Sequence, residues 1–285
     1  MTIQAFLKKH HSNEATDILA YLLGLEKTQL FLSDQKMTNK LIMRAETMLQ
    51  KYKSGIPLAY ILGDKYFYGL KLKVNKHVLI PRPETEWLVE RAITGLRVKG
   101  VGYSKRRNAQ LRMLDIGTGS GCIAISIAHA LALNPKPLTL KITASDISNK
   151  ALKVARTNAK IHKVDVKFIK SDLFNNIRGK FDVITANLPY VPQGMYELLY
   201  NNLKYEPRIA ITDGGEVWDI YHKFFKQLPK HLKPNGTALL EIDDGSKNDI
   251  QKMLKHLLPS WKAKFYRDLG GLWRYVEINK KTAIS

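Results

Sequence analysis

Cysteine is nearly absent from this 285-residue chain. The single one, Cys122, excludes an internal disulfide framework and any cysteine-rich zinc site, which fits a reducing compartment. The eight histidines show no His-Glu-x-x-His or similar ligand spacing, so no metal centre is expected. Long apolar runs are missing too. The longest uncharged stretch, residues 116–135, carries Gly117, Thr118, Gly119, Ser120, Gly121, Ser126 and His129 and is too polar to span a bilayer. The start, Met1 to Ala5, lacks the shape of a signal peptide. The expectation is a soluble cytoplasmic protein with no membrane partner. Acid is scarce: 25 Asp and Glu face 46 Lys and Arg, a formal net charge of +21. That excess predicts acidic partners, with nucleic acid the first candidate. The hydrophobic fraction of 45% supports a sizeable core and excludes wholesale disorder.

Helical spacing dominates the first part of the chain. Ala15, Ile18, Leu19 and Leu22, then Leu41, Ala45, Met48, Leu49 and Tyr52, recur on one face, and Gly24 and Gly55 read as helix stops. From Tyr66 the period becomes two. Leu70, Leu72 and Val74 alternate with lysines, Asn75-Lys76 follows, and then Val78-Leu79-Ile80, which together predict a β-hairpin. Pro83 suits the first turn of a helix through Trp87, Leu88, Arg91 and Ala92. Residues 97–112 are basic, hold two glycines and no acid, and read as an exposed loop. Beyond them, strands are expected at residues 111–116, 140–145, 166–169, 181–186, 238–242 and 275–278. Helices lie between, including 123–133 and 150–162, the latter capped by Ser148. Strand alternating with helix predicts an α/β fold with a mainly parallel sheet and helices on both faces. The expected division is a helical domain at 1–64, a hairpin linker at 65–80 and a catalytic domain at 81–285. No repeat or low-complexity segment interrupts it.

The chemistry gathers at strand ends. Met113-Leu114-Asp115-Ile116 leads into Gly117-Thr118-Gly119-Ser120-Gly121 and an apolar helix, an arrangement that lets a ligand approach the backbone closely. Alone the loop is a weak signal: it lacks the Gly-Lys-Ser/Thr ending of a phosphate-binding loop, and a dinucleotide dehydrogenase is a fair competitor. Asp146, after the second strand, can accept two ribose hydroxyls. Asp172 and Leu173, after the third, can hold an adenine. NAD would suit those features equally, but it does not need Asn187-Leu188-Pro189-Tyr190 after the fourth strand. There Asn187 offers an amide oxygen, Leu188 a carbonyl directed by Pro189, and Tyr190 an aromatic face. Together they can accept both hydrogens of a planar NH2 group, either a carboxamide or an exocyclic base amine. Such a nitrogen is a poor nucleophile, so holding it in line with an activated methyl is the main contribution available.

These motifs resemble the class I S-adenosylmethionine-dependent methyltransferases over most of residues 110–280. Within that class the chain is similar to the HemK/PrmC group, which methylates the amide nitrogen of the glutamine in the Gly-Gly-Gln motif of peptide-chain release factors. Gly55-Ile56-Pro57-Leu58-Ala59-Tyr60-Ile61-Leu62-Gly63, Val78-Leu79-Ile80-Pro81-Arg82-Pro83-Glu84-Thr85-Glu86, Glu206-Pro207-Arg208-Ile209-Ala210 and Asp268-Leu269-Gly270-Gly271 with Arg274 carry the resemblance outside the glycine loop. It implies S-adenosyl-L-methionine as cofactor, release factors as partners and a substrate-recognition role for the helical domain. It places Gly117, Thr118, Gly119, Ser120 and Gly121 at the methionine end, Asp146 at the ribose, and Asp172 with Leu173 at the adenine. Asn187 lies against both cofactor and substrate, which Leu188, Pro189 and Tyr190 also hold, with Asn187, Pro189 and Tyr190 catalytic. Two departures stand out. Leu188 replaces the family's usual first proline in Asn-Pro-Pro-Tyr, and Asp243-Asp244 follows Glu241-Ile242 where a glycine is usual.

Plainer readings sit beside these. Asp115 could brace the glycine loop, Asp146 and Asp172 could cap helices, and Cys122 could be a small helix residue without a paired base. Arg82 and Glu84 could shape the substrate entrance or simply pair and cap. Lys150, Lys153, Arg156, Lys160, Lys163 and Lys167 could form a solvated face. The competing activity is adenine N6-methylation of RNA or DNA, since Asn-Leu-Pro-Tyr is also the form seen in ribosomal RNA adenine dimethyltransferases. A third possibility is a binding module without catalysis.

Overall fold

The computed structural model describes residues 1–103, 110–133, 139–212, 214–215 and 218–280. The chain divides into two compact units, Met1–Asp64 and Lys65–Ser285. The first is helical: α1 (Ile3–His10), α2 (Asn13–Leu23), α3 (Lys27–Leu32), α4 (Asn39–Lys53) and α5 (Leu58–Leu62). Thr2, Ser12 and Thr38 each accept the backbone N–H three residues on and so start α1, α2 and α4. Gly24, left-handed at φ 67°, ends α2, whereas Ser54 rather than Gly55 caps α4. Ile3, Phe6, Ile18, Leu19, Leu30, Ala45 and Leu49 close one apolar core. The first helix lies before the periodic stretch expected from Glu14 onward.

The second unit opens with a hairpin of β1 (Asp64–Phe67) and β2 (Leu70–Lys73). Tyr68 and Gly69 form its tip at φ 47° and 74°, the positive pair that matches strand twist in a two-residue turn. This corrects the expected pairing of residues 70–74 with 78–80. Asn75 instead turns the chain by accepting the His77 N–H on its side chain (3.0 Å) and the Val78 N–H on its carbonyl (3.1 Å). The Ile80 N–H goes to Glu206 (3.0 Å), and Pro81 has no N–H to offer a ladder.

A 3₁₀ turn, Pro83–Thr85, runs into α6 (Glu86–Tyr103). Residues 97–103 are therefore helical rather than loop, because Leu88, Ala92 and Leu96 carry the buried stripe onward. Residues 104–109 of the expected loop lie outside the described residues.

The remaining elements are β3 (Leu111–Ile116), α7 (Cys122–Ala132), β4 (Leu140–Asp146), α8 (Asn149–Ile161), β5 (Lys167–Lys170), β6 (Phe181–Asn187), α9 (Gln193–Leu198), α10 (Tyr200–Leu203), α11 (Trp218–His231), β7 (Leu232–Glu241), α12 (Lys247–Leu257), β8 (Lys262–Arg267) and β9 (Trp273–Asn279). Their sheet has the order β5-β4-β3-β6-β7-β9-β8. The first five strands are parallel, and β9 runs antiparallel to both β7 and β8. Strand β8 escapes the sequence pattern because its first three residues are exposed at the sheet edge.

Both faces of the sheet are covered. Met113, Val183 and Leu239 point into a core shared with Leu88, Ile93 and Ile125, while Leu114, Ile184 and Leu240 point into one shared with Phe224, Phe225 and Ile250. Alternate residues thus serve opposite layers, as expected of central parallel strands. Among the described residues no helix is long and apolar enough to cross a membrane.

Two carboxylates are buried at the C-terminal ends of central strands, and burial raises both. Asp115 is pushed up from 3.8 to about 6, and Glu241 from 4.5 to about 7. Between about pH 4.5 and 7 the folded state holds the Glu241 proton and the unfolded state does not. The contribution of Glu241 to stability therefore falls as pH rises through that window. Thermal unfolding of wild type and Glu241→Gln at pH 5 and pH 8 checks this. The midpoint difference, variant minus wild type, is expected to become more positive at pH 8, and a pH-independent difference would refute the buried titration.

Candidate active site

The strand order reverses between β3 and β6, the position at which a doubly wound sheet leaves a crevice beyond its strand ends. A cavity of about 260 Å³ lies there. The glycine loop after β3, Asp146 after β4, Asp172 and Leu173 after β5, and Asn187, Leu188 and Pro189 after β6 all line it. So do Pro81, Arg82 and Thr85 from before α6, and Pro207 and Ile209 from the segment after α10.

The glycine loop is braced from below. Asp115 accepts the Thr118 hydroxyl on one oxygen (2.6 Å) and the Thr185 hydroxyl on the other (2.7 Å). It is absent from the cavity lining, so the bracing geometry is the one observed. Gly117 sits at φ 69°, and a Cβ placed on it would touch the Asn187 carbonyl oxygen at 3.4 Å and Leu188 Cδ2 at 3.7 Å. Loop and turn therefore approach closely enough that a methyl group at Gly117 would touch the turn. Gly121 has a different role. At φ 83°, its missing Cβ would lie 2.6 Å from Ile125 Cδ1 and 3.2 Å from Ala155 Cβ, so it lets α7 pack and does not line the cavity. Cys122, in the first turn of α7, has its thiol pushed up to about 12, chiefly by burial, which disfavours a thiolate.

Asp146 holds the loop from the side. Its Oδ2 accepts the Gly119 N–H (2.9 Å) and its Oδ1 the Ser148 N–H (2.8 Å), while Ser148 itself caps α8. Burial raises its carboxyl above the ordinary value despite these bonds. After β5, the Ser171 hydroxyl donates to the Leu173 carbonyl (2.8 Å) and accepts the Asn176 N–H (3.0 Å). That tight turn holds Leu173 at φ 44°, a strained conformation for a leucine, against the cavity wall beside Asp172.

At the end of β6 the Asn187 Nδ2 donates to the Thr85 hydroxyl (3.2 Å), and Thr85 donates to Glu241 Oε2 (2.7 Å). The N–H edge of the amide is committed, which leaves Oδ1 as its accepting edge. Leu188 is buried and belongs both to the sheet core and to the cavity wall. Tyr190 is not among the lining residues. Its ring packs against the core under α11, and burial pushes its hydroxyl up to about 12.

Several structural partners escape sequence reasoning. Asn158, fully buried on α8, accepts the Lys73 N–H (2.7 Å) and donates to the Lys73 and Ser120 carbonyls (3.0 and 2.9 Å), tying the hairpin to the glycine loop. Glu206 accepts the Arg82 guanidinium (2.5 Å) and the Ile80 N–H, so Arg82 pairs at the cavity wall. The quoted motifs held Thr85, Glu206 and Glu241 without a role, whereas Arg82 was expected to shape the entrance or to pair, and it pairs while lining the cavity. The Asp243-Asp244 departure has a local account. Asp243 accepts the Gly245 N–H (3.0 Å) and faces Arg274 (3.6 Å), and Asp244 accepts the Trp273 N–H (2.7 Å), fastening the turn after β7 to β9. Among the described residues no group of three His, Cys, Asp or Glu could hold a metal ion.

Comparison with known proteins agrees with this architecture. The PrmC N-terminal domain family matches residues 2–63, and the Methyltransferase small domain family matches residues 104–225. A release factor glutamine methyltransferase of Aquifex aeolicus is 32% identical over 283 residues, covering 96% of this chain and 94% of its own. One from Flavobacterium psychrophilum is 35% identical over 268 residues, covering 92% and 89%. Among solved structures, a ribosomal protein L11 methylase from Lactobacillus delbrueckii subsp. bulgaricus aligns at TM-score 0.50 and 22% identity over 74% of this chain and 86% of that one, a likeness of fold alone. The fold is that of a class I methyltransferase, and the adenine N6 reading is not favoured. By identity sustained over nearly its full length, the chain belongs to the release factor glutamine methyltransferase family.

Proposed function

We propose that this chain methylates the side-chain amide nitrogen, N5, of the glutamine in the Gly-Gly-Gln motif of peptide-chain release factors, with S-adenosyl-L-methionine as methyl donor. The observation that carries the reading is the orientation of Asn187. Its amide is fixed through Nδ2, and it stands on the cavity wall close to the glycine loop. When bound, the donor supplies a methyl group on a positively charged sulfur. Gly117, Thr118, Gly119 and Ser120 line its methionine end. Each Asp146 oxygen accepts one backbone N–H and keeps a lone pair, which suits a ribose diol. Asp172 and Leu173 flank the adenine.

Asn187 Oδ1 and the Leu188 carbonyl accept the two hydrogens of the substrate NH2. Pro189 restricts Leu188 to extended backbone, so the carbonyl keeps its aim without the family's first proline. Tyr190, anchored in the core, backs the turn. Two acceptors in one plane orient the nitrogen lone pair toward the donor site, and that alignment is what the chain contributes to rate. The turn carries no side chain suited to act as a base, consistent with a proton leaving after transfer. A cytoplasmic place of action follows from this substrate.

Incubation with labelled S-adenosyl-L-methionine and release factor is expected to label the wild-type factor and not one whose motif glutamine is alanine. Equal labelling of both would sink the assignment. Asn187→Ala is expected to lower kcat by about 100-fold or more, as loss of a transition-state hydrogen-bond partner does, with little change in donor binding. Asp146→Ala is expected to weaken donor binding at least about tenfold, or about 1.4 kcal/mol, measured by calorimetry. Normal turnover of saturated Asn187→Ala would refute this division of roles.

A further inference from the structure

The hydrogen bonds behind Asn187 run in one direction. Thr85 has a single hydroxyl proton and gives it to Glu241, so its oxygen can only accept from Asn187. Above about pH 7, where Glu241 is ionised, it cannot donate, and this forces the Asn187 N–H edge inward and its oxygen edge toward the cavity. The three residues come from β7, the turn before α6 and the end of β6. Their frame is rigid. Thr85 is buried, the Tyr221 hydroxyl donates to the Glu241 carbonyl (3.2 Å), and the Tyr275 hydroxyl donates to the Glu84 carbonyl (2.7 Å). Trp87 stacks on Tyr275 with ring centroids 4.2 Å apart.

A donor at position 241 would reverse the sequence of bonds. It would give its proton to Thr85, Thr85 would give its own to Asn187 Oδ1, and the Asn187 NH2 would turn toward the cavity. A substrate NH2 would then meet a donor instead of an acceptor. We infer that Glu241 is a positioning residue which, directly and through Thr85, holds the Asn187 amide in the one orientation able to accept a substrate NH2. The inference rests on the function proposed above. Stability does not account for Glu241, because a carboxylate buried at this depth opposes folding once ionised.

Steady-state kinetics on release factor, with the Asn187 side-chain amide signal followed in ¹⁵N-labelled enzyme and assigned by its loss in Asn187→Ala, tests the inference. Glu241→Gln and Thr85→Val are expected to lower kcat by about tenfold or more and to leave donor KM within about twofold, the pattern of a lost orienting contact. Thr85→Ser keeps the hydroxyl and is expected to restore kcat. Added to Asn187→Ala, Glu241→Gln should cost nothing further, since it acts through the amide already removed. Glu241→Gln should also be slower while no less stable than wild type at pH 8. Wild-type kcat in Glu241→Gln and Thr85→Val, or losses that multiply in the double variant, would overturn the inference. So would an amide signal that does not move in either variant, and this readout decides the matter even if wild type proves inactive on release factor, which would defeat the functional reading instead.

Discussion

Asp115 joins the two strand ends on which everything else depends. Its oxygens take one hydroxyl from the glycine loop and one from β6, two residues before Asn187. The loop and the Asn187 turn therefore share one buried anchor, and they approach closely at Gly117. The arrangement is costly, because burial pushes Asp115 up to about 6. Two charge-assisted hydrogen bonds offset part of that cost and set the spacing between loop and turn to within the reach of one small group.

The other walls of the cavity are fastened on the same plan. The loops are held by polar side chains that reach across from other elements, except the Asp172 turn, which its own Ser171 holds. Asn158 holds the glycine loop to the hairpin, Asp146 holds Gly119, Ser171 curls the Asp172 turn, and Glu206 ties the segment after α10 to Ile80 and Arg82. Loops have few apolar contacts of their own, so directed hydrogen bonds with buried partners are what keep the site's dimensions fixed.

The parts legible in the sequence are those in which pattern and chemistry lie close together. Strand-like stretches alternating with helical runs gave β3, β4, β5, β6, β7 and β9. Because parallel strands all end on one side of the sheet, Asp146, Asp172 and Asn187 had to converge there. The hairpin was misplaced because the Asn75-Lys76 turn signal is genuine yet the chain after it, at 78–80, forms no strand. Helix α6 ran past its expected end because its apolar stripe outweighs local glycine and charge. Tyr190 looked like an aromatic wall but packs into the core. Thr85, Glu206 and Glu241 bond across 102 to 156 positions of sequence, and Asn158 across 38 and 85. No local period encodes such partnerships, so only the fold exposes them.

The excess of +21 first suggested nucleic acid, and part of that charge stands on one run of exposed side chains. Lys150, Lys153, Arg156, Lys160, Lys163 and Lys167 are exposed on and just after α8. At about 0.1 M salt, interactions between exposed charges are screened over roughly 10 Å. The cavity wall is dominated instead by partly or fully buried groups. Asp146 faces it, Asp115 and Glu241 stand behind it, and Arg82 is neutralised by Glu206, with only an exposed Lys223 added at its wall. Buried charges are screened far less than exposed ones, so the local field at the strand ends is set by carboxylates and carbonyls although the whole molecule is strongly basic. A cationic methyl donor would therefore answer to the buried acids at short range, whatever the net charge of the rest of the molecule.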